Sequence, residues 1–369
     1  MFLEKDDPVY SGKKHFIVFP KNVRVFSLFI LYICNCLNER PMEFSTRITI
    51  PKATFTFSYD DPVVLIGSCF AENIGHRMKE ARFPVDMNPF GILYNPASVS
   101  RAVRRLLDPE PYAAKDLFFR DGLYHSFDHH SRFSSASEAD CLQRINDRLE
   151  RSALSFQKAR RLVITFGTAF VYRLPADRRI VSNCHKLPEK QFVRSRLSPE
   201  EITADWKALL RSVWERNPDL NVLFTVSPIR HWKDGAHANQ LSKAALLLAI
   251  EALQTEFPDR TDYFPSYELL MDELRDYRFY ADDMLHPSPL AVEYIWRRFV
   301  DSRLSPDASR LLNEWEEIQK ALNHKPFQPD SEAYKRFLLQ TLLKMERIRE
   351  KIPSFDLAKE IDTVKSKLM

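Results

Sequence analysis

The stretch from Val63 to Gly75, Val-Val-Leu-Ile-Gly-Ser-Cys-Phe-Ala-Glu-Asn-Ile-Gly, constrains the fold more than any other part of the chain. The apolar run Val63 to Ile66 reads as a strand buried on both faces, the pattern of a parallel sheet. Gly67, Ser68 and Cys69 follow at once, and Ile74, Met78 and Ala81 then recur at helical spacing. Strand, tight turn and helix make the repeating unit of an α/β fold, and such turns are where α/β enzymes place a nucleophile. The turn sits at the carboxyl end of its strand, where open α/β sheets bind ligands, and the helix N-terminus behind it favours negative charge. A thiol there is expected to ionise more readily. The same residues also allow a plainer reading, a bend glycine followed by a packed cysteine, because cysteine is among the most buried residue types.

The alternation continues downstream. Val85 to Met87 reads as a short strand leading into Asn88-Pro-Phe-Gly91, and Asn95-Pro96 opens a helix to Leu107 with Asn as cap and Pro at the first helical position. Phe118 to Tyr124 reads as a hairpin about Asp121-Gly122. A helix from Ser137 to Lys158 leads into the strand Leu162 to Phe166, which ends at Gly167-Thr168-Ala169. A helix over Pro199 to Arg216, a strand over Val222 to Val226, a long helix over Asn239 to Phe257 and a last strand at Tyr263 complete the series. This order predicts an α/β fold, a parallel sheet with helices on both faces. After the loop at Arg278 to Pro289 the chain turns helical, over Ala291 to Arg303, Ser309 to Leu322, Ser331 to Ile352 and Phe355 to Leu368. The expected organisation is an α/β domain at 42–304 and a C-terminal helical arm at 305–369 that packs on the core or, in a homo-oligomer, on a second subunit.

Residues 1–41 differ in character. Val25 to Cys34 is apolar and follows Lys21 and Arg24, as in a signal peptide, but it is short for a bilayer span and no small-residue cleavage site follows. The preferred reading starts translation at Met42 and implies a cytoplasmic protein with no stable membrane span; a genuine signal at 1–41 would imply export. Half of the formal net charge of +4 lies in this segment, so the remainder gives no argument for nucleic acid. The five cysteines have no regular spacing and describe neither a disulfide framework nor a zinc site; with no paired ligand spacing elsewhere, no metal is expected. Only 7 of 369 residues are glycine, so each is apt to hold a position that needs one; Gly67, Gly91 and Gly167 all fall at or just after strand ends.

A nucleophile needs a base, and the base needs a group to orient it. Tyr280-Ala-Asp-Asp-Met-Leu-His-Pro-Ser288 supplies Asp283 and His286 in a loop just before a helix. That spacing lets one turn hold both side chains toward one pocket, the carboxylate fixing the imidazole tautomer. Coming after the last strand, the pair falls at the same sheet edge as the turn at 67–69. His185 and His231 also follow strand ends, and each reads either as a hydrogen-bonded structural residue or as pocket lining. His76 reads as surface.

Several segments together resemble a known family: Val64-Leu-Ile-Gly-Ser-Cys-Phe-Ala-Glu-Asn-Ile-Gly75, Asn88-Pro-Phe-Gly91, Thr165-Phe-Gly-Thr-Ala169, Asn183-Cys-His-Lys186, Ser227-Pro-Ile-Arg-His231 and Asp282-Asp-Met-Leu-His-Pro287. Over roughly residues 42–325 the chain resembles the GSCFA domain family. That family belongs with the SGNH (GDSL-like) hydrolases, so the resemblance implies a flavodoxin-like three-layer sandwich and chemistry on ester bonds. SGNH enzymes carry Gly-Asp-Ser-Leu in their first block, and an ungapped overlay puts Ser68 on the Asp and Cys69 on the nucleophilic Ser. Cys69 is then the implied nucleophile, with Ser68 the alternative if the turn is one residue shorter. Gly91 resembles the second-block glycine whose N–H helps form the oxyanion hole. The third block usually supplies an Asn that Gly167-Thr168-Ala169 lacks, which leaves Thr168 or Asn183 for that duty and His185 and His231 as further pocket residues.

The leading expectation is a hydrolase of carbohydrate or small-molecule acyl esters that needs no cofactor and works through an acyl-enzyme. Cys69 or Ser68 attacks, His286 takes the proton and Asp283 orients His286. A glycan O-acyltransferase, or a non-catalytic carbohydrate- or protein-binding domain using the same cleft, are the alternatives.

Overall fold

The computed structural model describes residues 45–352 and 355–368. The expectations for residues 1–41, including the apolar run Val25 to Cys34 and the start at Met42, lie outside the described residues. In chain order the strands are β1 (Val63–Gly67), β2 (Val85–Met87), β3 (Leu117–Arg120), β4 (Leu123–Ser126), β5 (Arg161–Phe166), β6 (Phe170–Arg173), β7 (Ile180–Val181), β8 (Val193–Arg196), β9 (Asn221–Val226) and β10 (Thr261–Phe264). The main sheet runs β10-β9-β5-β1-β2, and every pairing in it is parallel. Counted among themselves, these strands follow the order 2-1-3-4-5 of flavodoxin-like folds, so the connections leave β1 to opposite sides and the switch point falls between β1 and β5.

Successive residues of β1 face opposite ways and feed two apolar cores. Val64 and Ile66 join Val99 and Val103 of α2 (Pro96–Leu107), Leu149 of α3 (Glu138–Gln157), Trp206 of α4 (Pro199–Arg216) and Ile250 of α5 (Gly235–Glu256). Val63 and Leu65 join Phe70 and Met78 of α1 (Cys69–Glu80) and Phe299 of α6 (Pro289–Arg303). The result is the expected three-layer α/β sandwich.

The C-terminal helices α7 (Pro306–Leu322), α8 (Glu332–Lys351) and α9 (Ala358–Leu368) share the second of these cores through Trp315, Ile348 and Val364. Trp315 Nε1 donates to Glu80 O at 2.8 Å and so satisfies a carbonyl of the last turn of α1. From Arg47 onward the chain forms one compact unit, with the helical arm built into the same body as the sheet. Helices α6 and α7 begin at Pro289 and Pro306, earlier than apolar spacing suggests. Ser288 and Ser305 cap them by accepting from Ala291 N and Ala308 N, and proline fits the first helical turn. A feature without a sequence counterpart is the antiparallel sheet β7-β6-β8, which stands beside the carboxyl end of β5.

Candidate active site

The turn after β1 is drawn tightly against β5. Gly67 has φ +154°, and a Cβ there would lie 2.2 Å from Thr165 O, so a glycine is required by both conformation and space. Its N–H donates to Asn88 Oδ1 at 2.9 Å, which ties the turn to the loop after β2. Ser68 is the N-cap of α1, its Oγ accepting from Phe70 N at 3.3 Å, and it is only 1% exposed. Cys69 is the first helical residue and is partly exposed. The two side chains thus divide their duties: the serine oxygen caps, and the thiol stands at the helix N-terminus.

Both residues line a cavity of about 540 Å³ at the carboxyl edge of the sheet, beside the switch point. Tyr94, Phe170, Tyr172 and Trp232 give it aromatic walls, and His286 lines it as well. The loop carrying His286 closes on itself, Ala281 N donating to His286 O at 2.8 Å, with Met284 in the left-handed region at φ 58°. His286 Nδ1 lies 2.5 Å from Asp283 Oδ2, while Leu285 N and His286 N both donate to Asp283 Oδ1 at 2.9 Å. These backbone donors, with the imidazole after them, hold the Asp283 carboxyl down to about 2. An ionised Asp283 accepts from Nδ1–H and leaves Nε2 as the basic nitrogen of His286.

The electrostatics of the thiol differ from the expectation. Burial raises the Cys69 pKa and outweighs the N–H groups of Cys69 and Phe70 that pull it down; Glu72 raises it further, and Lys243 lowers it. The helix N-terminus acts in the expected direction but loses to desolvation, so Cys69 rests as a thiol. Cys184 lines the same cavity, and burial pushes its thiol up to about 11.

Lys243 of α5 is the unexpected member of the site. It is 1% exposed, and its ammonium donates to Gly167 O and Ser227 O, both at 2.7 Å, with the Tyr267 ring 5.3 Å from Nζ. These carbonyls follow β5 and β9, so the lysine pins two strand ends together at the floor of the site. Burial brings its pKa down to about 7, opposed by the charge of the Cys69 sulfur when it ionises. His231 also lines the cavity, its ring edge-on to Tyr94 at 5.5 Å. Burial first, then Lys243, Arg194 and His286, take His231 down to about 3, so it is neutral at physiological pH.

Other candidate residues stand differently. Gly91 does not offer its N–H: that group donates to Asn88 O at 2.8 Å and closes the turn, and Gly91 packs on His130 with φ +81°. Thr168 lines the cavity, but its Oγ1 is engaged with Ser242 Oγ at 3.0 Å and accepts from Phe170 N at 3.1 Å. Asn183 also lines it, its Oδ1 accepting from His185 N at 2.8 Å. His185 is not a lining residue. It is buried beside His125, with Nε2 2.8 Å from Ser126 O and Nδ1 3.2 Å from Ser131 Oγ, which is the structural reading of that histidine. Asn95 is the overlooked asparagine: its Oδ1 accepts from Ser98 N at 2.8 Å as the cap of α2, which fixes the amide orientation. Its Nδ2 is left without a protein partner among the described residues, and the residue lines the cavity.

The model of the GSCFA family matches residues 62–299, and that of the GSCFA domain protein, C-terminal domain, matches residues 315–369. The chain belongs to the GSCFA family. The first match spans the whole parallel sheet and every cavity residue named above, and the second covers most of the helical arm. Comparison with curated proteins found no match. In this GSCFA protein, Lys243 carried a legible signal, since it shares the buried face of α5 with Leu246, Ile250 and Leu253 at helical spacing. A charge on an apolar stripe marks a buried ion. Arg194 had no such signal, because the short strand that carries it was not legible.

Among the described residues no group of three His, Cys, Asp or Glu side chains converges as a metal site, and no helix is long and apolar enough to cross a membrane.

Proposed function

We propose that this GSCFA protein is an SGNH-like hydrolase of acyl esters that works through a thioester at Cys69. One observation carries the reading: Cys69, at a helix N-terminus beside the switch point, shares an open cavity with His286, whose Nδ1 is already held by Asp283. As Sγ attacks the ester carbonyl, the thiol proton passes to His286 Nε2, and Asp283 stabilises the resulting imidazolium. The backbone N–H of Cys69, which has no backbone acceptor among the described residues, and Asn95 Nδ2, on a residue that lines the same cavity, are the donors assigned to the oxyanion. Collapse expels the alkoxide, which takes the proton from His286. Water, deprotonated by the same histidine, then attacks the thioester and releases the carboxylic acid and the thiol. The His286 side chain is half exposed, so water reaches the base, which favours hydrolysis over transfer to a second alcohol. The aromatic walls suit a carbohydrate or small-molecule acyl ester.

The test is to label the protein with a fluorophosphonate and, separately, with iodoacetamide, map both adducts by mass spectrometry and follow p-nitrophenyl acetate turnover. The expected result is alkylation at Cys69 ahead of Cys184 with loss of turnover, no turnover in Cys69→Ala, and a reduced but measurable rate in Ser68→Ala. The rate should climb with pH as the thiol titrates. Fluorophosphonate on Ser68, or full activity in Cys69→Ala, refutes the assignment; no turnover under any condition favours a binding domain on this fold.

A further inference from the structure

The charged residues of the cavity are mostly paired within the protein. Arg194 is ion-paired with Asp234 and stacked on Phe170 at 4.2 Å. Lys233 lies 3.1 Å from Glu189 and donates to the Tyr172 hydroxyl at 3.0 Å. Asp283, behind the lining residue His286, is taken by that imidazole. Arg230 is the exception: its side chain makes no hydrogen bond or ion pair among the described residues, and its Nε is buried without an acceptor. The guanidinium lies 5.2 Å from the Trp232 ring and 5.8 Å from the Tyr280 ring.

Two aromatic faces restrict the rotation of that guanidinium and hold its fork in place, the arrangement that suits two parallel hydrogen bonds to a planar or tetrahedral oxyanion. Burial first, then Lys243, Arg194 and His286, lower the His231 pKa, so the cavity holds other basic groups besides Arg230. Lys243, brought to about 7 by burial, has no acidic partner among the described residues and carries a partial positive charge near neutral pH, but it is enclosed and bonded to two carbonyls, so it lends field without offering a contact.

We propose that Arg230 receives an anionic oxyacid group, a carboxylate or a phosphate, carried by the molecule that occupies this cavity, so that the substrate is an anionic ester. The assignment rests on the reading of the cavity as a substrate site, although binding of the anion does not depend on reaction at Cys69. Recognition by a fixed guanidinium predicts strong preference for a charged group over its neutral isostere, because the isostere leaves the cation unpaired.

The experiment is calorimetric titration of the full chain with succinate, inorganic phosphate and succinamide at constant ionic strength. At least one anion should bind and succinamide should not, with Arg230→Gln weakening the anion by tenfold or more. Binding of succinate alone assigns a carboxylate, and binding of phosphate alone assigns a phosphate. A second readout follows alkylation of Cys69 by mass spectrometry: the rate ratio of anionic iodoacetate to neutral iodoacetamide should fall at least fivefold in Arg230→Gln. The proposal is overturned if the wild-type protein binds neither anion, if it binds succinamide as well as succinate, or if Arg230→Gln retains full anion affinity. The first two outcomes need no variant, so misfolding of Arg230→Gln leaves the test intact. Binding is read without turnover, so failure of the hydrolase reading, seen as unchanged turnover in Cys69→Ala, is distinguishable from failure of this one.

Discussion

Replacing Lys243 with methionine should flatten the pH dependence of stability. A lysine whose pKa falls from 10.5 unfolded to about 7 folded binds more protons in the unfolded chain across that interval. Stability therefore rises with pH from about 7 toward 10.5, and below 7, where both states are protonated, the folded protein carries the full cost of burying the ammonium. With each pKa unit worth about 1.4 kcal/mol, the whole shift corresponds to about 5 kcal/mol, of which about 2 kcal/mol is recovered between pH 6 and 8.5. That window ends before most of the range where the raised Cys69 thiol and the buried tyrosines contribute with the opposite sign. The loss of the bonds to Gly167 O and Ser227 O offsets the removal of the buried charge, and neither of those effects changes with pH in the variant. The assay is urea unfolding of wild type and Lys243→Met at pH 6, 7, 8 and 8.5, reading the difference in stability at each pH. Histidine effects nearly cancel: Lys243 helps to depress His231, but burial is the larger cause and holds that imidazole at about 3 in the wild type, below the window. The wild-type curve should gain about 2 kcal/mol on the variant between the ends of the series. Parallel curves within about 0.5 kcal/mol, the usual limit for sites that do not interact, would show that Lys243 keeps an ordinary pKa and would remove its electrostatic role beneath Cys69.

Gly67→Ala should lose about 3 kcal/mol or more in urea unfolding, because its Cβ would meet the Thr165 carbonyl oxygen at 2.2 Å in a backbone conformation that side chains rarely adopt. A change below about 1 kcal/mol, within the range of ordinary substitutions, would mean that β1 and β5 part easily at the site. Trp315→Ala should cost about 3 to 5 kcal/mol, since a side chain only 1% exposed and bonded to Glu80 O is lost from the core shared with β1. If the helical arm were energetically separate, the main unfolding transition would stay where it is while far-ultraviolet circular dichroism showed an earlier loss of helix.

The parts of the fold that were legible are those where local pattern and tertiary environment agree. Val63 to Ile66 and Leu162 to Phe166 are continuous apolar runs because a central parallel strand is covered on both faces, and 0% exposure at Leu65, Ile66, Leu162 and Ile164 is the consequence. The sheet β7-β6-β8 shows the opposite case. Ile180–Val181 contributes 2 residues, and Val193-Arg-Ser-Arg196 carries two arginines with no alternation of apolar residues. The pairing of Phe170 with Arg196 joins residues distant in sequence, and the nearer pairing of Tyr172 with Val181 involves a strand too short to show a pattern, so nothing local announces them. Yet this sheet supplies Phe170, Tyr172 and Arg194 to the cavity. The wall of the cavity built by this sheet was therefore the least legible part of the candidate site.

Single side chains failed for a different reason: a polar residue has more than one hydrogen bond to give, and spacing reveals only the first. Asn95 was legible as a helix cap because its Oδ1 does that work, but the amide has a second end, and the cap contact itself is what frees Nδ2. Gly91 failed in reverse, since a glycine after a turn invites use of its N–H and that N–H is already spent on Asn88 O. The same accounting bears on Ser68 and Cys69. A residue that opens a helix with an extended backbone and a short hydroxyl is committed to capping, and the observed contact with Phe70 N is that commitment. A serine attacking from this position would have to abandon the cap and uncover a helix N–H, at a cost of about 1 kcal/mol before any chemistry begins. The thiol one residue later bears no such obligation, and its pKa answers first to burial and then, among the charges, to Glu72 and Lys243. Helix geometry thus argues for Cys69 independently of any alignment of motifs.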